Sequence, residues 1–282
     1  MRRNLRKMVM IIFTAGLIFT FSFVQGLWAE KRHNNAEEDE IHNELHFVHP
    51  LIAETPSPDN TIRVDYFFRN INSDEDDADE HTVRFVGEYA INRSISLQIE
   101  APYTWREPSG EPTDSSFDNF EFIAKYANFV FEEKGILIGG GLRLGLPTGD
   151  TKEEIGSNHI VEFEPFLDAG YKKGNFETTA TLSFGFPSNQ RDEEENEEEA
   201  TIGYNLSLLY HLNRRIEALV EFDGESVLSG DADGPWIINI TPGIKVRPSK
   251  DADFDIGVGV SLPLSNTEEF DVQTIVSAIL HF

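Results

Sequence analysis

The chain of 282 residues carries 23 Lys and Arg against 50 Asp and Glu, a formal net charge of −27, and has no cysteine. So acidic a chain is a poor partner for nucleic acid, whose phosphates call for basic surface, and without thiols disulfides, thiolate catalysis and Cys-ligated metals are excluded. A mean hydropathy of −0.34 rules out a bundle of membrane helices, although a transmembrane β-barrel, whose apolar residues are diluted by alternation, escapes that test.

Arg2, Arg3, Arg6 and Lys7 precede an apolar run over 8–24, with Gly26 and Ala29 behind it. This is the layout of a secretory signal peptide over 1–29, with cleavage after Ala29 or Gly26. An uncleaved anchor is the alternative, but the run is at the short end for a spanning helix and nothing similar follows. Residues 30–60 are acidic and His-bearing, without alternation, and read as a periplasmic arm or as a plug entering a barrel. Over 37–47 a short helix is predicted, with Ile41 and Leu45 on one side and Pro50, Pro56 and Pro58 beyond its end. On such a helix His42 and His46 share a face and, with His49 or Glu38, make a candidate metal site. A solvated polar arm is the alternative.

From Thr61 onward apolar residues alternate with polar ones. Strands are predicted over 61–69, 82–91, 94–104, 119–131, 135–146, 160–171, 176–186, 200–212, 215–224, 235–247, 253–262 and 270–282. That makes about twelve, an even number of tilted strands long enough to cross a bilayer. The predicted fold over 61–282 is therefore all-β: a transmembrane, antiparallel, up-and-down β-barrel, closed on itself. The connections support it. Long ones at 70–81, 105–118, 147–159, 187–199, 225–234 and 263–269 alternate with short ones at 92–93, 132–134, 172–175, 213–214 and 248–252. Long outer loops and short periplasmic turns produce this segregation, and a soluble sandwich has no reason to. The short connections hold turn formers such as Asn92-Arg93 and Asn213-Arg214. Three of the long ones hold the acidic runs 74–77, 192–199 and 223–233, which need water and set a negative rim outside. Aromatics sit near both strand ends, with Phe68, Tyr103, Trp105, Phe186, Trp236 and Phe270 on the loop side and Phe131, Tyr171, Phe176, Tyr210, Phe254 and Phe282 on the turn side, as interfacial girdles require.

A basic side chain at the bilayer midplane costs roughly 2–4 kcal/mol, so charges within strands fix which face looks inward. The lumen then receives Arg63, Asp65, Arg84, Glu88, Glu100, Glu121, Lys125, Arg143, Glu162, Glu164, Asp168, Glu217, Glu221, Lys245, Asp255 and Asp271. Either these charges pair across strands and hold the barrel shut, with Arg84 set opposite Glu100, or they line a polar pathway favouring cations or polar solutes. Gly139, Gly140 and Gly141 lack the ending of a phosphate cradle; in a barrel strand they leave room for a large neighbour or a plug.

The last strand, 270–282, alternates almost throughout and ends on Phe282, which resembles the C-terminal assembly signal of bacterial outer-membrane barrels. Three further stretches carry a wider resemblance: His49-Pro50-Leu51-Ile52 with Glu54-Thr55, the passage 142–150, and Thr241-Pro242-Gly243 with Val246-Arg247-Pro248. Together they are similar to the bacterial outer-membrane family named for the meta-pathway of phenol degradation. The resemblance implies a β-barrel transporter linked to uptake of aromatic compounds, and it offers no agreed substrate-binding residues.

The expected function is a passive outer-membrane channel or transporter for small solutes, with no cofactor. Its expected partners are the outer-membrane lipid bilayer, the solute, the barrel assembly machinery and divalent cations at the acidic loops. Two other classes compete. A closed structural barrel binding cations at its surface needs no flux. A lipid hydrolase would draw on Ser157, Asn158 and His159 at an outer loop end, although no acid is placed to orient the imidazole.

Overall fold

In the computed structural model, residues 45–72, 77–110, 112–188, 200–228, 236–249 and 253–282 are described. The acidic runs 192–199 and 229–233, most of the run 74–77, the segment 1–29 and His42 lie outside them. The strands are β1 (Thr61–Asn72), β2 (Asp77–Asn92), β3 (Ile95–Pro108), β4 (Asp114–Phe117), β5 (Phe120–Phe131), β6 (Ile136–Leu146), β7 (Val161–Lys173), β8 (Phe176–Ser188), β9 (Thr201–Asn213), β10 (Ile216–Val227), β11 (Trp236–Val246), β12 (Phe254–Pro263) and β13 (Val272–His281). Twelve of them form a closed antiparallel barrel. Closure comes from β13 pairing back onto β1, with Thr61 opposite His281 and Asn70 opposite Val272, so no sheet edge is left along the staves.

Strand β12 shows why the sequence folds this way. Asp255, Gly257, Gly259 and Ser261 face inward, while Ile256, Val258, Val260 and Leu262 alternate with them and stand exposed on the outside. Repeated round the barrel, this puts Leu97, Ile99, Phe122, Leu142, Leu167, Leu182 and Leu206 on an apolar outer wall. The inner wall receives the charges. Asx-type turns join the staves at one end: Asn92 Oδ1 accepts the Ser94 N–H and Asn213 Oδ1 those of Arg215 and Ile216. The 3₁₀ turn Glu132–Lys134 is completed by Gly135 at φ 67°, where a Cβ would lie 2.0 Å from the Lys172 carbonyl oxygen.

Three expectations change. First, β4 is an additional short strand, packed on the loop end of β3, whose partner switches there from β5 to β4. Second, β1 and β2 run further outward than the apolar alternation reaches, because polar pairs carry the hairpin on: the Arg69–Glu80 ion pair at 3.2 Å and the Asn70 amide donating to Asp79 at 3.0 Å. Third, the tight turn sits at Arg93-Ser94, so that Asn92 pairs with Ile95, and even after a one-residue register shift between Ala90 and Asn92 Arg84 stands opposite Pro102 rather than Glu100. Arg84 still reaches Glu100, diagonally, at 3.1 Å.

Aromatic rings gather toward both strand ends. At the loop end His81 stacks on Trp105 at 5.1 Å, beside Tyr66 and Phe68. At the turn end Tyr89, Tyr126, Phe129 and Tyr210 are exposed. Phe270 does not join the loop-side girdle: it is buried, with the Arg69 guanidinium 5.8 Å above its ring.

Candidate functional site

The lumen is occupied by the chain's own arm, residues 45–60, immediately before β1. Two of its apolar side chains, Phe47 and Leu51, seat it. Phe47 is buried against Ala127 and Leu137, over Gly170, where a Cβ would come within 2.6 Å of the Phe47 ring. Leu51 is buried against Leu209, Leu219 and Ile275, over Gly243, Gly257 and Gly259, whose missing side chains leave the space its methyls fill. The arm has no helix over Leu45, His46 and Phe47, the described part of the predicted 37–47 segment. Without a helix or a ladder of its own, its backbone must find other partners, and the barrel wall provides them.

Glu221 on β10 accepts the N–H groups of Leu51, Ile52 and Ala53 at 2.6, 2.9 and 2.8 Å. Glu177 on β8 accepts that of Val48 at 3.0 Å, and Glu88 on β2 that of Asp59 at 3.3 Å. The arm's carbonyls meet cations: Arg63 donates to Leu51, Lys245 to His49 and Lys172 to His46. Glu54 reaches Lys125 at 2.9 Å, and Lys125 also bonds Glu88 at 3.1 Å. Burial pushes the Glu54 carboxyl up, but Lys125, Arg143 and Arg63 outweigh it and hold the group well below the usual carboxylate range. The anchoring side chains lie toward the turn ends of their strands, so the arm crosses the turn-side part of the lumen.

Around the arm the inner wall differs from one side to the other. On β1 to β7 the charges are paired: Arg63 and Arg84 flank Asp65 at 2.7 and 2.9 Å, and Arg143 bridges Glu121 and Glu164 at 3.0 and 2.7 Å. On β8 to β12 the wall carries, beside its charged groups, Thr179, Asn205, Ser207, Thr241 and Ser261, each with a buried side-chain oxygen that has no hydrogen-bond partner among the described residues. The first wall is therefore mostly ion pairs, and the second mixes charged groups with small polar side chains.

Of the other predicted lumen residues, Asp168 is buried on β7, Asp255 on β12 is clamped by Arg247 at 2.9 Å, and Glu217 on β10 faces His211 at 3.3 Å. Glu162 lies on β7 beside Gly145 and Gly185. Asp271 lies before β13 and is exposed at the loop end.

His46 and His49 come together, and the partner that sequence spacing missed is Asp59. His46 Nε2 and His49 Nε2 stand 2.8 and 3.1 Å from Asp59 Oδ2, and His281 Nδ1, from the end of β13, stands 3.0 Å from the same oxygen. Burial pushes the His49 imidazole down to about 4. Burial would raise Asp59, but its bonds to His281, His46 and His49 hold it well below the usual range.

The Ser157 group is built as a turn. Ser157 Oγ accepts the N–H groups of His159 and Ile160 at 3.3 and 3.0 Å, and His159 Nδ1 lies 3.1 Å from Asn158 Oδ1 and 3.5 Å from Ser157 Oγ. The shorter bonds of the hydroxyl are therefore to backbone amides.

No family model and no curated protein matches the sequence. Among solved structures, the fold is similar to that of an outer-membrane channel from Pseudomonas putida F1, with a TM-score of 0.66 at 14% identity, covering 84% of this chain and 100% of that one. It is also similar to the NanC porin, with a TM-score of 0.54 at 7% identity, covering 79% of this chain and 99% of that one. For the KdgM porin the TM-score is 0.51 at 12% identity, with 79% of this chain and 99% of that one covered. At these identities the likeness is one of fold.

Proposed function

We propose that the chain is an outer-membrane channel for small polar solutes, with a preference for cations, narrowed on its turn side by the arm 45–60. The observation that carries this reading is the lumen itself. A closed barrel with an apolar outside and a charged inside is built to be wet within and greasy without. The hydroxyls and amides on β8 to β12 add polar lining to the inner wall, and carboxylates outnumber the basic groups that pair with them, which favours cations over anions.

Twelve strands lie between the eight that side chains fill and the sixteen or more that leave a wide aqueous channel, so a narrow pore fits the size. Export through the signal peptide 1–29 and insertion by the barrel assembly machinery complete the proposal, and the likeness to the Pseudomonas putida channel and the two porins agrees with it. Among solutes, the inner wall suits polar and cationic compounds better than the apolar aromatics that the family resemblance brings with it.

Planar-bilayer recordings test the reading. In a potassium chloride gradient the reversal potential is expected to show cation preference, and deletion of 45–58 is expected to raise the unit conductance. Absence of conductance in both the wild type and the deletion would overturn it and leave a closed structural barrel.

A further inference from the structure

Where the arm meets the end of the last strand, three imidazoles converge on one carboxylate oxygen. Asp59 Oδ2 lies within 2.8 to 3.1 Å of His46 Nε2, His49 Nε2 and His281 Nδ1. The other oxygen of Asp59 is engaged separately, accepting the Asn60 N–H at 2.7 Å. A carboxylate oxygen offers about two lone pairs, so three N–H donors oversubscribe it. A cation among the four groups reverses the arrangement: each imidazole then presents a lone pair, and the carboxylate supplies the negative charge.

We propose that His46, Asp59 and His281 bind one divalent transition-metal ion of the zinc class, with His49 as the fourth ligand. The donor atoms of the first three lie within 4.8 Å of one another. Tetrahedral zinc, with bonds of about 2.0–2.1 Å, spaces its ligand atoms by roughly 3.3 Å, which side-chain rotation reaches from here. Imidazoles with one carboxylate select zinc, copper or nickel over magnesium or calcium.

The surroundings are those of a ligating histidine. The far nitrogen of His281 faces Asp255 Oδ2 at 3.8 Å, and Asp255 is fixed by two bonds from Arg247, each 2.9 Å. A carboxylate behind the ring sets the tautomer and raises the basicity of the nitrogen that faces the metal. Three ligands come from the arm and one from β13, so a bound ion ties the plug to the closing strand. The ends of that bond are far apart in sequence, Asp59 and His281 being 222 positions apart.

The test uses the full exported chain, folded in detergent, stripped with a chelator and titrated with zinc chloride by calorimetry. One zinc per chain is expected, together with a rise in the temperature at which the folded, fast-migrating band is lost on gels. His46→Ala and His281→Ala are each expected to weaken binding at least tenfold and to abolish that rise. Should His281→Ala not fold, His46→Ala, which leaves every strand intact, carries the same test. Absence of saturable binding at one zinc per chain, or binding unchanged in the folded variants, would overturn the proposal. Because the readout is metal binding, it is independent of whether the barrel conducts.

Discussion

Glu221 on β10 holds Leu51 by its backbone: the Leu51 N–H meets Glu221 Oε1 at 2.6 Å, across 170 residues of chain. The second oxygen takes Ile52 and Ala53, so one carboxylate satisfies a turn's worth of amides with no secondary structure to serve them. Removing it leaves three buried or part-buried donors unpaired, at about 1–3 kcal/mol each where water cannot replace it. Glu221→Ala is therefore expected to unseat this part of the arm while the barrel still folds. Hydrogen exchange should quicken at residues 51–53 with the amides of β10 still protected, and channel recordings should show more frequent or larger openings. Unchanged protection at 51–53 would show that Leu51 packing alone seats the arm.

The arm and barrel are also matched in shape. A side chain at Gly170 would strike the Phe47 ring, with a Cβ only 2.6 Å from Cζ. Gly170→Val is expected to drive Phe47 from its seat at a cost of about 1–3 kcal/mol for overpacking. Phe47→Ala opens space against the same position, so the double variant should recover part of the loss. Protease sensitivity of the arm, measured on all four chains, gives a coupling energy, and strictly additive effects would refute the contact.

The staves were legible because the two rules that make a membrane strand are local. Period-two alternation marks the strand, and the cost of a charge on the outer wall fixes its facing, so Asp255 or Glu221 declares its side from its immediate neighbours. The arm's path obeys neither rule. Residues 45–60 have no period, and each anchor lies far away in sequence. The usable sign was at the receiving end: Gly170, Gly243, Gly257 and Gly259 fall on inward positions, where a missing side chain means something large is close. The misplaced Phe270 and the diagonal Arg84–Glu100 pair have the same origin. A strand end and the exact place of a tight turn are decided by pairing geometry that alternation does not report.

Acid should release the arm, and the onset is set by Glu54. In the folded chain this carboxyl gives up its proton more readily than the ordinary value of 4.5, because Lys125, Arg143 and Arg63 outweigh its burial. Its contribution is therefore complete above about pH 4.5 and is lost as pH falls below that toward the lowered value. Conductance should not change on this account between neutrality and pH 5, and should rise in stronger acid. Lys125→Met takes a cation from Glu54 and Glu88, leaving Gln98, Arg63 and Arg143 near Glu54. The folded value of Glu54 then moves up, so the arm should be looser at neutral pH and the further rise in conductance on acidification smaller. An acid-dependent rise of the same size in both chains would remove Glu54 from the account.

The outer wall makes a prediction of its own. Leu167, in the middle of β7, is 62% exposed and stands between Gly140 of β6 and Leu182 of β8. If that surface meets lipid acyl chains, Leu167→Arg places a guanidinium near the midplane and should lower the free energy of folding into liposomes by about 2–4 kcal/mol. Phe163 shares the face, four residues nearer the loop end, and is also exposed. Phe163→Arg can reach the headgroups by extending its side chain, so its charge should cost only about 0–1 kcal/mol. Urea titration of both variants, folded into vesicles and followed by tryptophan fluorescence, measures the difference. A depth-dependent gap identifies the wall as the bilayer face, whereas equal and small losses would mean that water rather than lipid covers β7.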